Sequence, residues 1–262
     1  MFGAIIGDIV GSTYEFNNTR DYNFELFPKG SSFTDDTICT IAVADAIMKG
    51  VPYRDSLLKW CRKYPNPVGA YGSMFSQWLN SHSHKPYNSY GNGAAMRVSP
   101  VGWAFLKSLD VLEEAKNSAA CTHNHPEGIK GAQTIAMCVW YLSNHRNISN
   151  AKQMAHDICS GMYNPDYALN IPAPGVWDGT CQGCVPLAVH IFMKSKNFED
   201  AIRLAVSYGG DSDTLGTIVG SLAEAFYDIP EELKIKALGY LPKDITNVIY
   251  NFEKKYGGIS GI

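Results

Sequence analysis

The chain has 262 residues, 22 of them Lys or Arg and 25 Asp or Glu, for a formal net charge of −3, and 45% of it is apolar. That much apolar material can bury a sizeable core and excludes disorder as the governing state; a slightly acidic balance with scattered cations excludes a binder of phosphate backbones. Charged side chains make up 18%, below the roughly 25% of an average globular protein, which points to extensive buried surface or to acids reserved for a site.

Met1 to Asp8 lacks the basic start of an export signal, and Asp8 interrupts the apolar stretch early. Asp8 itself, between two glycine turns, is expected to accept local backbone N–H bonds. Beyond Thr37, the apolar residues Ile38, Ile41, Ala42 and Ala46 recur at helical spacing until Gly50 and Pro52 stop them. Tyr64-Pro65-Asn66-Pro67 and Tyr90-Gly91-Asn92-Gly93 read as loops. Helical spacing returns at Val111 to Ala119, Ala132 to Leu142 and Pro186 to Met193, with a further loop at Ile171 to Gly175. Leu215, Ile218, Val219, Leu222, Ala223 and Phe226 form a stripe that only a helix gathers onto one side. The longest apolar run, Val185 to Met193, holds Pro186 and His190 and falls far short of the roughly 20 residues of a membrane span. No linker-like tract or fixed-period repeat interrupts the chain. The expected architecture is a soluble, all-α, single compact multi-helix domain over 1–262. Seven irregularly spaced cysteines suit reduced core thiols and the cytoplasm. Cys181-Gln182-Gly183-Cys184 has CxxC spacing but neither zinc partners nor a βαβ context, so it reads as structural.

Two acidic clusters stand at helix starts: Phe33-Thr34-Asp35-Asp36-Thr37 and Gly209-Gly210-Asp211-Ser212-Asp213-Thr214. Either alone is accounted for by N-capping and the helix dipole. A cap uses one side chain, however, and each cluster offers two carboxylates plus hydroxyls. If the clusters meet, four negative charges would crowd together at a cost on the order of several kcal/mol unless cations neutralise them. The donors are all oxygen, which suits Mg²⁺ or Mn²⁺ rather than Zn²⁺, and so many carboxylates match two divalent ions.

Six segments, in this order, resemble the ADP-ribosylglycohydrolase family over almost the whole chain. They are Gly3 to Glu15 (GAIIGDIVGSTYE), Phe33 to Thr37, Ala70-Tyr71-Gly72, Gly91-Asn92-Gly93-Ala94-Ala95-Met96-Arg97, Thr122-His123-Asn124-His125-Pro126 with Gly131-Ala132, and Gly209 to Thr214. The resemblance implies an all-α fold with a binuclear Mg²⁺ or Mn²⁺ centre. By position, it implies metal ligation by Thr34, Asp35, Asp36, Asp211, Asp213 and Thr214. It implies a catalytic or gating role for Glu15 close to the metals, and ADP-ribose contacts from Glu15, Tyr71, Gly72, Gly91, Asn92, Gly93, His123 and Gly210. A glycine loop lets backbone N–H groups approach a pyrophosphate, and His123 can donate to a ribose hydroxyl or phosphate if its second nitrogen is held. Arg97 reads as a structural ion-pair residue in preference to a phosphate clamp.

The implied reaction is hydrolysis at C1″ of an ADP-ribosyl group, with carboxylates stabilising a cationic ribosyl transition state and Glu15 or Asp36 as base. The carrier is an ADP-ribosylated protein side chain, nucleic-acid base or small molecule. No stable nucleic-acid complex and no membrane association are expected. Loops 17–29, 80–90 and 164–180 are expected to choose the carrier. Two rivals stand beside this reading: an all-α metal-dependent phosphohydrolase using His123 and His156-Asp157, and a non-catalytic ADP-ribose-binding or structural member.

Overall fold

The computed structural model describes residues 1–164 and 171–257; part of the expected selectivity loop 164–180 and the last residues of 1–262 lie outside them. Its helices are α1 (Phe2–Gly11), α2 (Asp35–Lys49), α3 (Tyr53–Lys63), α4 (Ser73–Asn80), α5 (Gly93–Met96), α6 (Ser99–Ala104) and α7 (Ser108–Ala120). They continue as α8 (Pro126–Asn144), α9 (Ala151–Met162), α10 (Cys181–Lys194), α11 (Phe198–Tyr208), α12 (Ser212–Phe226), α13 (Glu231–Leu238) and α14 (Lys243–Tyr256). Among the described residues β-pairing is confined to two isolated bridges, Thr34 with Val68 and Gly91 with Thr180. The all-α expectation holds, and each periodic stripe read from the sequence lies inside a helix.

Local chemistry sets the ends that matter. The Thr34 hydroxyl caps α2 by accepting the Asp36 N–H at 3.2 Å, and Gly50 closes the helix in the left-handed region at φ 64°. Thr180 caps α10 in the same way, through the Gly183 N–H at 3.1 Å. Both Cys181 and Cys184 are buried in the first turns of α10.

The first ten residues depart from the sequence reading. Gly3, Gly7 and Gly11 do not mark turns; they lie on α1, every residue of which is buried. Spaced four apart, these glycines share one helix face, and that face meets Gly220, Gly216 and Ser212 of α12. A Cβ on Gly7 would fall 2.0 Å from the Gly216 carbonyl oxygen, one on Gly3 2.4 Å from that of Gly220, and one on Gly11 2.5 Å from that of Ser212. Backbone therefore touches backbone along the whole contact. Glu224 on α12 completes it by accepting the Phe2 and Gly3 N–H groups at 3.1 and 2.9 Å, which satisfies donors left over at the start of α1.

Gly7→Ala is expected to destabilise the fold by about 3 kcal/mol or more, because the methyl can be housed only by separating two helices in a packed core. Denaturant midpoints of wild type and variant measure this; a loss below about 0.5 kcal/mol would contradict the packing.

Candidate active site

Helix α12 begins where α1 ends, so the contact that aligns the two helices also sets Asp8 of α1 beside Asp213 in the first turn of α12. The start of α2 joins them. Asp8 is fully buried and accepts four hydrogen bonds, from Thr34 N (2.9 Å), Thr34 Oγ1 (2.6 Å), Thr37 N (3.1 Å) and Thr37 Oγ1 (2.5 Å). Thr214 Oγ1 on α12 donates to Asp36 Oδ2 on α2 at 3.2 Å, joining the two acidic clusters across a sequence separation of 178. Asp211 lies at the head of α12, where the Asn92 amide donates to its Oδ2 at 2.7 Å. The bend ahead of Asp211 uses Gly209 and Gly210 at φ 78° and 83°, and Asn18 clamps it from both sides, accepting from Gly210 N and donating to Gly210 O.

The result is a dense anionic cup. Carboxylate oxygens of Asp8, Asp36 and Asp213 lie within 4.8 Å of one another, and so do those of Glu15, Asp211 and Asp213; Asp213 belongs to both groups. At that spacing an ionised pair repels by about 3 kcal/mol even at an effective dielectric constant of about 20. Protons consequently bind tightly. Burial, followed by Asp211 and Asp8, pushes Glu15 up to about 7. Burial raises Asp8 to about 6 against the opposing pull of its Thr34 and Thr37 hydrogen bonds. Asp35, Asp36 and Asp213 are raised well above the ordinary carboxylate value, first by burial and then by their acidic neighbours. Asp36 Oδ1 and Glu15 Oε2 are buried without a hydrogen-bond donor, which leaves acceptor oxygens facing the cup. A hard divalent cation matches this donor set: oxygen ligands, excess negative charge and unengaged lone pairs.

The cup opens into a cavity of about 360 Å³ whose far wall has the opposite character. There the loop Gly91-Asn92-Gly93 faces His123, whose Nε2 would sit 3.1 Å from a Cβ on Gly93 and 3.6 Å from one on Gly91. Arg97 lines the same wall and is 1% exposed. Tyr71 and Gly72 form a side wall, with the Tyr71 hydroxyl tied to the Tyr64 carbonyl at 2.7 Å. At the rim, Trp177 stacks on the exposed Phe16, ring centroids 5.9 Å apart and planes 9° from parallel. A larger cavity, about 770 Å³, lies elsewhere between Tyr53, Phe105 and Cys121. Its Glu114 is bonded to the Tyr53 hydroxyl, and none of the clustered acids reaches it.

Of the residues singled out in the sequence, Glu15, Asp35, Asp36, Asp211, Asp213, Thr214, Tyr71, Gly72, Gly91, Asn92, Gly93 and His123 all line this cavity. Thr34 stands behind the cup, its hydroxyl engaged by Asp8 and the Asp36 N–H. Asp35 lines the cavity outside the two tight carboxylate groups. Two expectations need correction. Asp8 is not a local turn acceptor: it lies mid-helix, its partners are 26 and 29 residues away, and it belongs to one carboxylate group. Arg97 has no acidic partner among the described residues; it donates to the Ser118 carbonyl and the Thr122 hydroxyl. Gly210 stands just behind the lining residues, at φ 83°, where it bends the chain into Asp211. His156 and Asp157 lie on α9, outside the cavity, which takes away the histidine site that a phosphohydrolase would need.

Fold and cavity together define an all-helical protein with a buried carboxylate cluster facing a glycine loop and a buried cation. The model of the ADP-ribosylglycohydrolase family matches residues 1–256, and the chain belongs to that family. It is 24% identical over 325 residues to the mouse (Mus musculus) protein named ADP-ribosylhydrolase ARH3, covering 94% of this chain and 88% of the relative. To the ADP-ribosyl-(dinitrogen reductase) glycohydrolase of Rhodospirillum rubrum it is 25% identical over 256 residues, covering 88% and 85%. A solved structure titled ADP-ribosylglycohydrolase-related protein complex shares the fold at a TM-score of 0.74, with 23% identity and coverage of 97% and 95%. The relatives bear hydrolase names, and the family is one of ADP-ribosyl glycohydrolases acting on modified substrates.

Folding raises the proton affinity of Glu15 and Asp8, so the stability they contribute is full below their unfolded values of 4.5 and 3.8 and is lost as the pH climbs through about 7 and about 6. In chelator, the thermal midpoint is therefore expected to fall between about pH 5 and pH 7.5, and to fall less in Glu15→Gln. A midpoint that rises across this window in both proteins would contradict the crowding.

Proposed function

We propose that this chain, acting as one domain, hydrolyses the bond between C1″ of the distal ribose in an ADP-ribosyl group and the atom of its carrier, in a reaction that depends on two Mg²⁺ or Mn²⁺ ions. The observation that carries the reading is the two-ended cavity. A pyrophosphate needs N–H donors and positive potential, which Gly91, Gly93, His123 and Arg97 offer. A ribosyl ring that becomes cationic as its glycosidic bond breaks needs carboxylates, which the opposite end offers.

Asp8, Asp36 and Asp213 would hold one ion, and Glu15, Asp211 and Asp213 the other, with Thr214, Asp35 and Thr34 completing or supporting the set. When bound, divalent ions supply charge neutralisation and Lewis-acid attraction for the ribose hydroxyls. The remaining steps belong to the chain. The glycine loop and His123 bind the pyrophosphate and fix the distal ribose at the acidic end. Carboxylate charge around C1″ favours the developing cation over the neutral ground state. Glu15, on the open side of the cup, takes the proton of the attacking water; Asp36, deeper and hydrogen-bonded by Thr214, holds the geometry and is the second candidate for that role. As the C1″–carrier bond breaks, the carrier atom takes up a proton from solvent, and the carrier departs past Phe16 and Trp177 at the rim. The carrier is a protein side chain, a nucleic-acid base or a small molecule. A reducing cytoplasmic setting is supported by seven irregularly spaced cysteines, six of them buried, and no described helix is long and apolar enough to cross a membrane.

A release assay with ADP-ribosylated arginine, serine, DNA base and small guanidines, run with Mg²⁺, Mn²⁺ or chelator, is expected to yield free ADP-ribose from at least one carrier only when a divalent ion is present. Undiminished release in chelator would overturn the metal dependence, and ADP-ribose binding without release from any carrier would favour a pure binder. Glu15→Gln is expected to lower kcat by roughly 10²- to 10⁴-fold. Asp36→Asn is expected to lose turnover by about 10³-fold or more. Wild-type kcat in either variant would remove that residue from the chemistry.

A further inference from the structure

Arg97 is a fully buried cation without a carboxylate partner among the described residues. Its Nη2 donates to the Ser118 carbonyl at 2.8 Å and to Thr122 Oγ1 at 2.7 Å, and touches Cys121 Sγ at 3.9 Å; its Nε is buried and unpartnered. Burying a guanidinium in this state is costly, and an ion-pair role does not explain it. What it touches does. Thr122 Oγ1 lies 2.8 Å from His123 Nδ1, so one hydroxyl stands between Arg97 and the imidazole that faces the glycine loop.

A hydroxyl has one proton to give and two lone pairs. Arg97 occupies a lone pair of Thr122, since a guanidinium can only donate. The Thr122 proton then has two destinations: His123 Nδ1 at 2.8 Å, or the Ala119 carbonyl at 3.5 Å. That carbonyl already accepts the backbone N–H of His123 at 2.8 Å and of Thr122 at 3.1 Å. The short, unsatisfied acceptor is Nδ1. If Nδ1 accepts, the ring proton resides on Nε2, the nitrogen that faces Gly91 and Gly93 and that bonds to no described protein group. The reverse orientation, with Nδ1 donating, would present a bare lone pair to whatever anion enters the loop.

Resting on the ADP-ribose reading of this cavity, we propose that Arg97 and Thr122 are positioning residues whose hydrogen-bond relay locks His123 in the Nε2–H tautomer, making it a neutral donor aimed at the anionic group held by Gly91-Asn92-Gly93. Arg97 thereby acts twice: it orients the donor, and it lends positive potential to the wall opposite the carboxylates. The tautomer exists before any ligand binds, so the donor is preorganised rather than induced.

The test is long-range ¹⁵N–¹H correlation on histidine-labelled full-length protein without ligand, followed by ADP-ribose titration. Wild type is expected to give the Nε2–H pattern for His123. Thr122→Val, which removes the hydroxyl at nearly constant volume, is expected to lose that preference and to weaken ADP-ribose binding about tenfold or more; Thr122→Ser is expected to restore both. Arg97→Lys, which keeps the charge but not the fork, is expected to fall between wild type and Thr122→Val. An Nδ1–H pattern in wild type, or an unchanged Nε2–H pattern in Thr122→Val, would overturn the relay. The spectrum of the free protein decides the relay by itself, whereas a His123 signal that ADP-ribose leaves unmoved would count against the ligand reading of the cavity.

Discussion

Backbone contact between α1 and α12 governs the rest of this molecule. Side chains are excluded from the interface at Gly3, Gly7, Gly216 and Gly220, so the two helix backbones meet there with no Cβ between them. Closeness carries Asp8, in the middle of a fully buried helix, to the head of α12, where Asp213 already stands. A carboxylate inside a hydrophobic helix would be a defect in most folds. Here it receives four hydrogen bonds from the start of α2, and those same bonds dock α2 so that Asp36 completes the group.

Two opposing costs then meet in one cavity. At the acidic end, burial first and then the repulsion among neighbouring acids raise their proton affinities; cations of higher charge would relieve the strain better. At the other end, Arg97 is buried with neutral partners. Each end is electrostatically incomplete, and their incompleteness is complementary. Under the proposed function, a ligand negative in its middle and bearing hydroxyls at one end would satisfy both. Asn92 is the physical link, since its backbone belongs to the glycine loop while its amide holds Asp211. Loop position and cup geometry are thereby coupled through one side chain.

Much of this was legible in the sequence, for reasons that differ by residue. The stripe from Leu215 to Phe226 and those in α2, α7, α8 and α10 announce helices because helical periodicity is a local property. The clusters at Asp35-Asp36 and Asp211-Asp213 stand out because they exceed what a cap requires. Asp8 was misread because a lone acid among apolar residues and glycines has no local feature separating a turn from a buried helix; only its distant partners do. A signal was present, however: Gly3, Gly7 and Gly11 match Ser212, Gly216 and Gly220 in spacing, which marks two helix faces able to meet at backbone distance. Arg97 reads as an ion-pair residue from its charge and its place beside a Pro-bearing turn. Its actual partners, a carbonyl and a hydroxyl 21 and 25 residues on, carry no charge that a sequence pattern could flag.

Counting the ions is the most direct trial of the idea that the fold itself assembles a cation-holding cup. Calorimetric titration of the chelator-treated chain with Mn²⁺ at neutral pH is expected to give two ions per chain. In Asp213→Asn, where the residue common to both carboxylate groups loses its charge, both affinities are expected to collapse. No binding to the wild-type chain, or equal stoichiometry and affinity in Asp213→Asn, would contradict the account.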